Sequence, residues 1–319
     1  MRKNVLIIWP AAIFLTLIFT SLSAQPVVIG QPELLIPSKG RIWLNPAWSP
    51  DGRYLAFSSE KYQGLWVSTS EGQRQWQVSD REGVGFGYSW SADGRTLLVR
   101  PSEYSNKSRF QWIELIQAAT GLSRALTEPQ RGIEGLPRWT HRDQHLAVVI
   151  DGRIQLLESG KAPQGTPIDK AELPVVFPVG GRFLKASTAK NEPEVLADFG
   201  SNTIFNLAIS PNGQKLAFQV ATRGLFVMNA DGTGLKTLGW GERPCWTPDG
   251  KYLVVMLTKD NGHQITQSDL YAIDPDTGQE YLLTGHTQII ALSPSVSPDG
   301  KKIAFENPES GGIYILKIQ

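Results

Sequence analysis

Cysteine is almost missing from this chain. Cys245 is the single one among 319 residues, so no internal disulfide can form and stability must come from a packed core. Being internal, it also offers no site for a terminal lipid anchor. Histidine is scarce as well, with four residues, which leaves little material for a metal centre. An excess of either charge is absent. Lysine and arginine number 31 against 30 aspartate and glutamate, with no long run of one sign, so nucleic acid and anionic membrane are poor partners. No Gly-x-Ser-x-Gly elbow occurs, and the repeats described below leave no room for an α/β-hydrolase domain, so a peptidase of that type is not expected.

Long apolar runs are also lacking, with one exception at the start. Arg2 and Lys3 precede an uncharged apolar stretch from Val5 to Phe19, followed by Thr20-Ser21-Leu22-Ser23-Ala24. A basic n-region, an apolar h-region and a small-residue end read as a secretory signal peptide over residues 1–24, cut after Ala24. The alternative is an uncleaved anchor, since Val5 to Ser23 is almost long enough to span a bilayer. Pro10 and the small-residue end favour cleavage. The remainder, 25–319, reads as one domain with no stable membrane insertion after cleavage. Its net charge is the whole chain's +1 less the two charges of Arg2 and Lys3, or −1.

What the chain does have is repetition. Trp48-Ser49-Pro50-Asp51-Gly52-Arg53-Tyr54-Leu55-Ala56-Phe57 returns with small changes at Trp90, Ile209, Trp246 and Val296. Proline pre-sets the second position of a type I turn, aspartate suits the third, and glycine takes the left-handed position after them. Apolar strand residues follow. A second hairpin lies downstream in each unit, as in Leu270 to Leu283 around Asp274-Pro275-Asp276-Thr277-Gly278. Each unit is thus four short strands, a to d, which is the blade of a β-propeller.

Two weaker copies decide the blade number. Trp139 to Ala147 keeps the tryptophan but lacks proline and glycine. Val176 to Leu184 keeps proline and glycine but lacks aspartate. The reading is all-β, with six clear four-stranded antiparallel blades and a degenerate seventh at about 172–203; six blades is the alternative. The last unit stops at its third strand, Ile313 to Ile318. Residues 32–37, Pro-Glu-Leu-Leu-Ile-Pro, can supply the missing fourth and close the ring.

The Ser-Pro-Asp-Gly-Lys/Arg segment and its downstream hairpin resemble the propeller repeat of the TolB family, a WD40-like propeller. They also resemble the propellers of prolyl oligopeptidase-type peptidases and of tricorn protease. The likeness covers about 32–319. It implies the propeller without the N-terminal α/β domain of TolB proper, and a place in the bacterial envelope, periplasmic or secreted.

No catalytic residue, metal ligand or cofactor is expected. His141 and His145 have zinc-like spacing only on a helix, and here they straddle a turn. Asp51, Asp93, Asp249 and Asp299 resemble a carboxylate set, but an Asx side chain bonds its own turn backbone. Cys245, on an inner strand, reads as an inert buried thiol.

Meander geometry then divides the disc. The a–b and c–d turns share one face and are tight and repeated. The b–c and d–a loops share the other and vary from blade to blade, as binding surfaces do. Tyr62, Tyr104, Arg109, Arg131, Trp240 and Arg243 lie in those loops and are of types enriched in hot spots. The leading reading is an exported, non-enzymatic, monomeric scaffold that binds an envelope protein or peptide. A funnel enzyme acting on a small molecule or glycan is the alternative, and convergent inward polar residues at the channel mouth would favour it.

Overall fold

A computed structural model describes residues 25–140, 143–161, 175–186 and 194–319. They form a β-propeller of seven antiparallel blades. The first strand, β1 (Val28–Ile36), belongs to the last blade. Blade 1 contains β2 (Trp43–Trp48), β3 (Tyr54–Ser59), β4 (Leu65–Thr69) and β5 (Gln75–Ser79). Blade 2 contains β6 (Ser89–Trp90), β7 (Thr96–Val99), β10 (Glu114–Gln117) and β11 (Ser123–Ala125), with an added hairpin of β8 (Ser102–Ser105) and β9 (Ser108–Gln111). The described residues give three strands each to blade 3, namely β12 (Ile133–Trp139), β13 (His145–Ile150) and β14 (Arg153–Glu158), and to blade 4, namely β15 (Val175–Val179), β16 (Arg182–Ala186) and β17 (Glu194–Asp198). Blade 5 runs through β18 (Ile204–Ile209), β19 (Lys215–Val220), β20 (Gly224–Asn229) and β21 (Lys236–Gly239). Blade 6 has β22 (Glu242–Trp246), β23 (Leu253–Asp260), β24 (Ile265–Ile273) and β25 (Glu280–Leu282). Blade 7 has β26 (Leu292–Val296), β27 (Lys302–Asn307), β28 (Gly312–Ile318) and then β1.

The repeat motif explains the first turn of blades 1, 2, 5, 6 and 7. Ser49 Oγ donates to Asp51 Oδ1 at 2.7 Å and accepts from Tyr54 N at 2.9 Å, while Arg53 N donates to Asp51 Oδ1 at 3.1 Å. The same three bonds recur around Asp249 and Asp299, and Asn212 takes the aspartate's place in blade 5. The hydroxyl residue before the turn is therefore as much a part of the motif as the aspartate. The apolar strands that follow form the core. Phe57, Phe218 and Phe305 occupy one repeat position and are fully buried.

Tryptophan links the blades. Trp90, Trp139 and Trp246 each donate an indole N–H to the carbonyl of the preceding described inner strand or blade: to Ala47 at 3.0 Å, Ser89 at 3.4 Å and Ala208 at 3.1 Å. Trp48 departs from the rule, and its indole nitrogen is buried without a partner. Ring closure there uses other bonds. β1 pairs antiparallel with β28, with Val28 opposite Ile318 and Ile36 opposite Ile313.

Blade 4 corrects one alignment. Counted as the degenerate repeat, Gly180–Gly181 would be an a–b turn. In the fold Gly181 stands where Gly64 and Gly224 stand, at the start of a third strand, with Phe199 N donating to Gly181 O at 2.7 Å. The tight glycine turn joins b to c. Residues 1–24, assigned above to a signal peptide, lie outside the described residues, as does His141. Among the described residues no helix is long and apolar enough to cross a membrane.

Candidate functional site

Backbone bonds settle which connections share a face. Ser70 N donates to Arg53 O, Ala118 N to Arg95 O and Ala230 N to Gln214 O, all within 2.8–3.0 Å, so the c–d turns lie beside the a–b turns. Across the disc, Glu60 N donates to Ile42 O at 3.0 Å, Asp151 N to Gly132 O at 2.9 Å and Ala221 N to Thr203 O at 2.9 Å. Those bonds put the b–c connections beside the d–a connections.

The loop face carries five of the six residues picked from the sequence, in three separate settings. Tyr62 packs edge-on against Phe86, with centroids 5.1 Å apart. Tyr104 and Arg109 face each other across the β8–β9 hairpin. Trp240 and Arg131 are exposed on d–a connections, and Trp240 is 68% accessible. Two of the b–c connections are more regular than loops. Residues 100–109 hold most of a hairpin, and 258–268 are mainly the extended ends of β23 and β24.

Arg243 belongs to a different environment, at the mouth of the central channel. It sits on inner strand β22 with φ +49. Asn45, Asn206 and Ser293 occupy the same place in their blades and share the left-handed backbone, with φ between 50 and 52. Each marks a bulge in the pairing of the a and b strands. A bulge re-aims one side chain and frees an amide. Here the freed amides are capped from the preceding blade. Arg243 N donates to Gln219 Oε1 at 3.0 Å, Asn45 N donates to Glu306 Oε2, and Ser293 N contacts Met256 Sδ at 3.3 Å. The side chains continue the network. Arg243 Nη1 donates to Asn45 Oδ1 at 2.6 Å, Asn206 Nδ2 donates to Gln219 Oε1 at 2.6 Å, and Tyr88 Oη donates to Asn45 O. Burial pushes the Glu306 carboxyl above its ordinary value, against the Asn45 amide and the Arg243 charge, which pull it down.

Sequence reasoning found Arg243 and missed the rest of this ring. A signal existed. Asn45-Pro46-Ala47-Trp48, Leu136-Pro137-Arg138-Trp139, Arg243-Pro244-Cys245-Trp246 and Ser293-Pro294-Ser295-Val296 share a proline two places before the repeat position. Proline lacks an N–H and is tolerated at a bulge.

Among the described residues no three His, Cys, Asp or Glu side chains come together as a metal site. His145 Nε2 lies 3.0 Å from Glu158 Oε1. Burial pushes the Cys245 thiol up to about 12, which suits an unreactive thiol. Two grooves open on the loop face. One of about 540 Å³ lies between His286–Ile289 and the blade 7 b–c turn, and one of about 410 Å³ lies beside Glu60–Gln63.

No protein-family model matches the chain. It is 30% identical over 139 residues to the uncharacterized peptidase YuxL of Bacillus subtilis strain 168, which is 39% of this chain and 19% of that protein. It is 34% identical over 119 residues to a TolB homolog of Chlorobium luteolum, 35% of this chain and 26% of that protein. The chain therefore spans about a fifth to a quarter of the length of these curated relatives. Among solved structures it resembles oligogalacturonate lyase of Vibrio parahaemolyticus, with a TM-score of 0.57 at 14% identity over 92% of this chain and 97% of that one. TolB of Acinetobacter baumannii gives 0.50 at 14% identity, over 91% and 65%. At such identities the likeness concerns the fold: this chain folds as a TolB-like β-propeller.

Proposed function

We propose that this propeller is an exported, non-enzymatic scaffold that binds a protein or peptide of the bacterial envelope through its b–c/d–a face. The observation that carries the reading is the unequal finish of the two faces. Tyr104 is 62%, Trp240 68% and Phe86 42% accessible on the loop face, and both grooves open there. Large exposed aromatics are the usual anchors of a protein interface. Ion pairs and turn bonds occupy the other face. Site-specific photo-crosslinkers at Tyr104, Trp240 and, as control, Asp276 test the reading in intact envelopes. One discrete adduct from the first two positions and none from Asp276 is the expected result. An adduct from Asp276 alone overturns it.

The funnel reading stands second, on the convergence of Asn45, Arg243 and Glu306 at the channel mouth. Those groups are already bonded to one another and to bulge amides, which is what a clasp between blades needs. Soaking the protein with neutral and anionic oligosaccharides and following Tyr88 and Glu306 by NMR separates the two; saturable shifts there favour the funnel.

A further inference from the structure

Among the described residues, blade 2 alone has a separate hairpin, β8–β9, in its b–c connection. Register places Ser102 opposite Gln111 and Tyr104 opposite Arg109. Alternate residues of a strand share a face, so these four side chains lie on one side of the hairpin. That side packs over Gly83, where φ is +73. A Cβ there would stand 2.7 Å from Ser102 Oγ and 3.4 Å from Arg109 Nη2.

Arg100 lies at the root of the hairpin. Its Nη1 donates to Gly135 O of blade 3. Its Nε is shut off from solvent and has no acceptor, and the Gln111 amide nitrogen is in the same state. Arg109 makes one long bond, 3.3 Å from Nη2 to Ser102 Oγ. Burial, and then the positive charge of Arg109, pushes Arg100 down to about 10, and no carboxylate opposes either cause. Arg81, in the neighbouring d–a connection, shows what a completed arginine looks like here. It is bound by the buried Glu114 and lies over the Trp112 ring at 5.7 Å. Arg100 is half-buried, and a charge drawn partly out of water without a carboxylate opposite is unfavourable, so the Arg100 cluster lacks its counter-ion.

We propose that the root of the β8–β9 hairpin is a carboxylate-binding site, in which Arg100 and Arg109 clamp one carboxylate of the partner and Tyr104 walls it on the solvent side. With Nη1 held by Gly135, the edge left to Arg100 is Nε–Nη2, two parallel N–H groups that match the two oxygens of a carboxylate. A side-chain adjustment of the kind common at interfaces opens Nε. One carboxylate also separates two like charges. The site rests on the reading of the loop face as a partner surface, and its test does not need the partner.

The probe is acetate, followed through the Arg100 Nε–Hε resonance, which is assigned by its loss in Arg100→Lys. The expected result is a saturable shift that chloride at equal ionic strength does not produce. Arg109→Gln, an exposed change that leaves the fold intact, raises the half-saturating acetate concentration about tenfold, the effect of one charge-assisted bond. Arg74→Gln, exposed in a c–d turn on the opposite face, leaves it unchanged. No saturation, or an equal response in Arg109→Gln, overturns the site. Saturation by inorganic phosphate with none by acetate overturns the carboxylate assignment. Acetate binding with no crosslinked partner from Tyr104 leaves the site standing and removes the partner reading instead.

Discussion

The two faces of this disc are built by opposite rules. On the turn face blades 1, 2, 5, 6 and 7 repeat the same hydrogen-bonded hairpin, and charges are matched between blades. Lys161 reaches Asp93 at 2.8 Å, Lys302 reaches Glu71 at 2.9 Å, and Lys215 pairs with Asp276. Each surface pair is worth little alone, but the pairs tie neighbouring blades together on that face. On the loop face, connections differ from blade to blade, aromatics stand in solvent, and Arg100 keeps an unpartnered nitrogen. A scaffold needs the first finish. A surface shaped for something outside the chain needs the second.

The largest effect comes from a change that belongs to neither face and sets the scale for both. A chain starting at Gly40 loses β1, the buried Ile36 and the bonds between Val27 and Gln319 that close the ring. Loss of one fully buried aliphatic side chain and a paired strand should cost roughly 3–5 kcal/mol, read as a lower urea midpoint. An unchanged midpoint would mean the ring does not depend on this clasp.

Next in size is the turn face. Ser297 is buried, donates to Asp299 at 2.6 Å and accepts from Lys302 N at 2.9 Å. Ser297→Ala removes both bonds and should lower stability by about 1–3 kcal/mol without touching crosslinking from Tyr104. Equal loss of both would show that the faces are mechanically coupled and the comparison too simple.

Acidification sharpens the same contrast. The Ser297 hydroxyl, then the Lys301 amide, hold Asp299 below its ordinary value despite some burial. At Asp249 burial raises the carboxyl, but the Thr247 hydroxyl and the Lys251 amide outweigh it and the net direction is down. A carboxyl lowered by folding contributes stability above its unfolded value, and that contribution is lost as pH falls through the folded one. Glu306 runs the other way. Its raised carboxyl favours the fold below its unfolded value and loses that contribution as pH rises through the folded one. Stability should therefore fall below about pH 4, and Asp299→Asn should blunt that fall while Glu306→Gln leaves it in place. Chemical denaturation from pH 2.5 to 7 reads both.

How much of this was legible beforehand follows from what each feature demands of residue type. The a–b turn demands proline, aspartate and glycine at fixed places, so Ser49 to Gly52 and its copies announced the blades. The division into two faces was legible from the alternation of tight and variable connections, and Trp240 and Tyr104 stand exposed on the second. The channel ring was not. Asn45, Asn206 and Ser293 read as ordinary polar strand residues, and their special backbone arises from bulges that only pairing reveals. Gln219 and Glu306 sit within apolar b strands, and their role depends on the next blade. Blade 4 was misaligned because Gly180–Gly181 satisfies a b–c turn as well as an a–b turn.

The smallest change in stability should bring the largest change in binding. Trp240→Ala and Tyr104→Ala remove exposed side chains, and surface substitutions of this kind usually stay within about 0.5 kcal/mol. Trp240 lies beside Gly224, its Cε3 3.6 Å from the place of a Cβ there. The double variant should unfold at the parent urea midpoint. If the aromatics are anchors, the same variant should weaken partner capture by about tenfold or more, since truncated hot-spot aromatics commonly cost over 1 kcal/mol each. The pairing of outcomes is what counts. A stability loss as large as that of Ser297→Ala would make the aromatics part of the scaffold. Parent stability with parent capture would make them ordinary surface residues, and the unequal finish of the two faces would then need another cause.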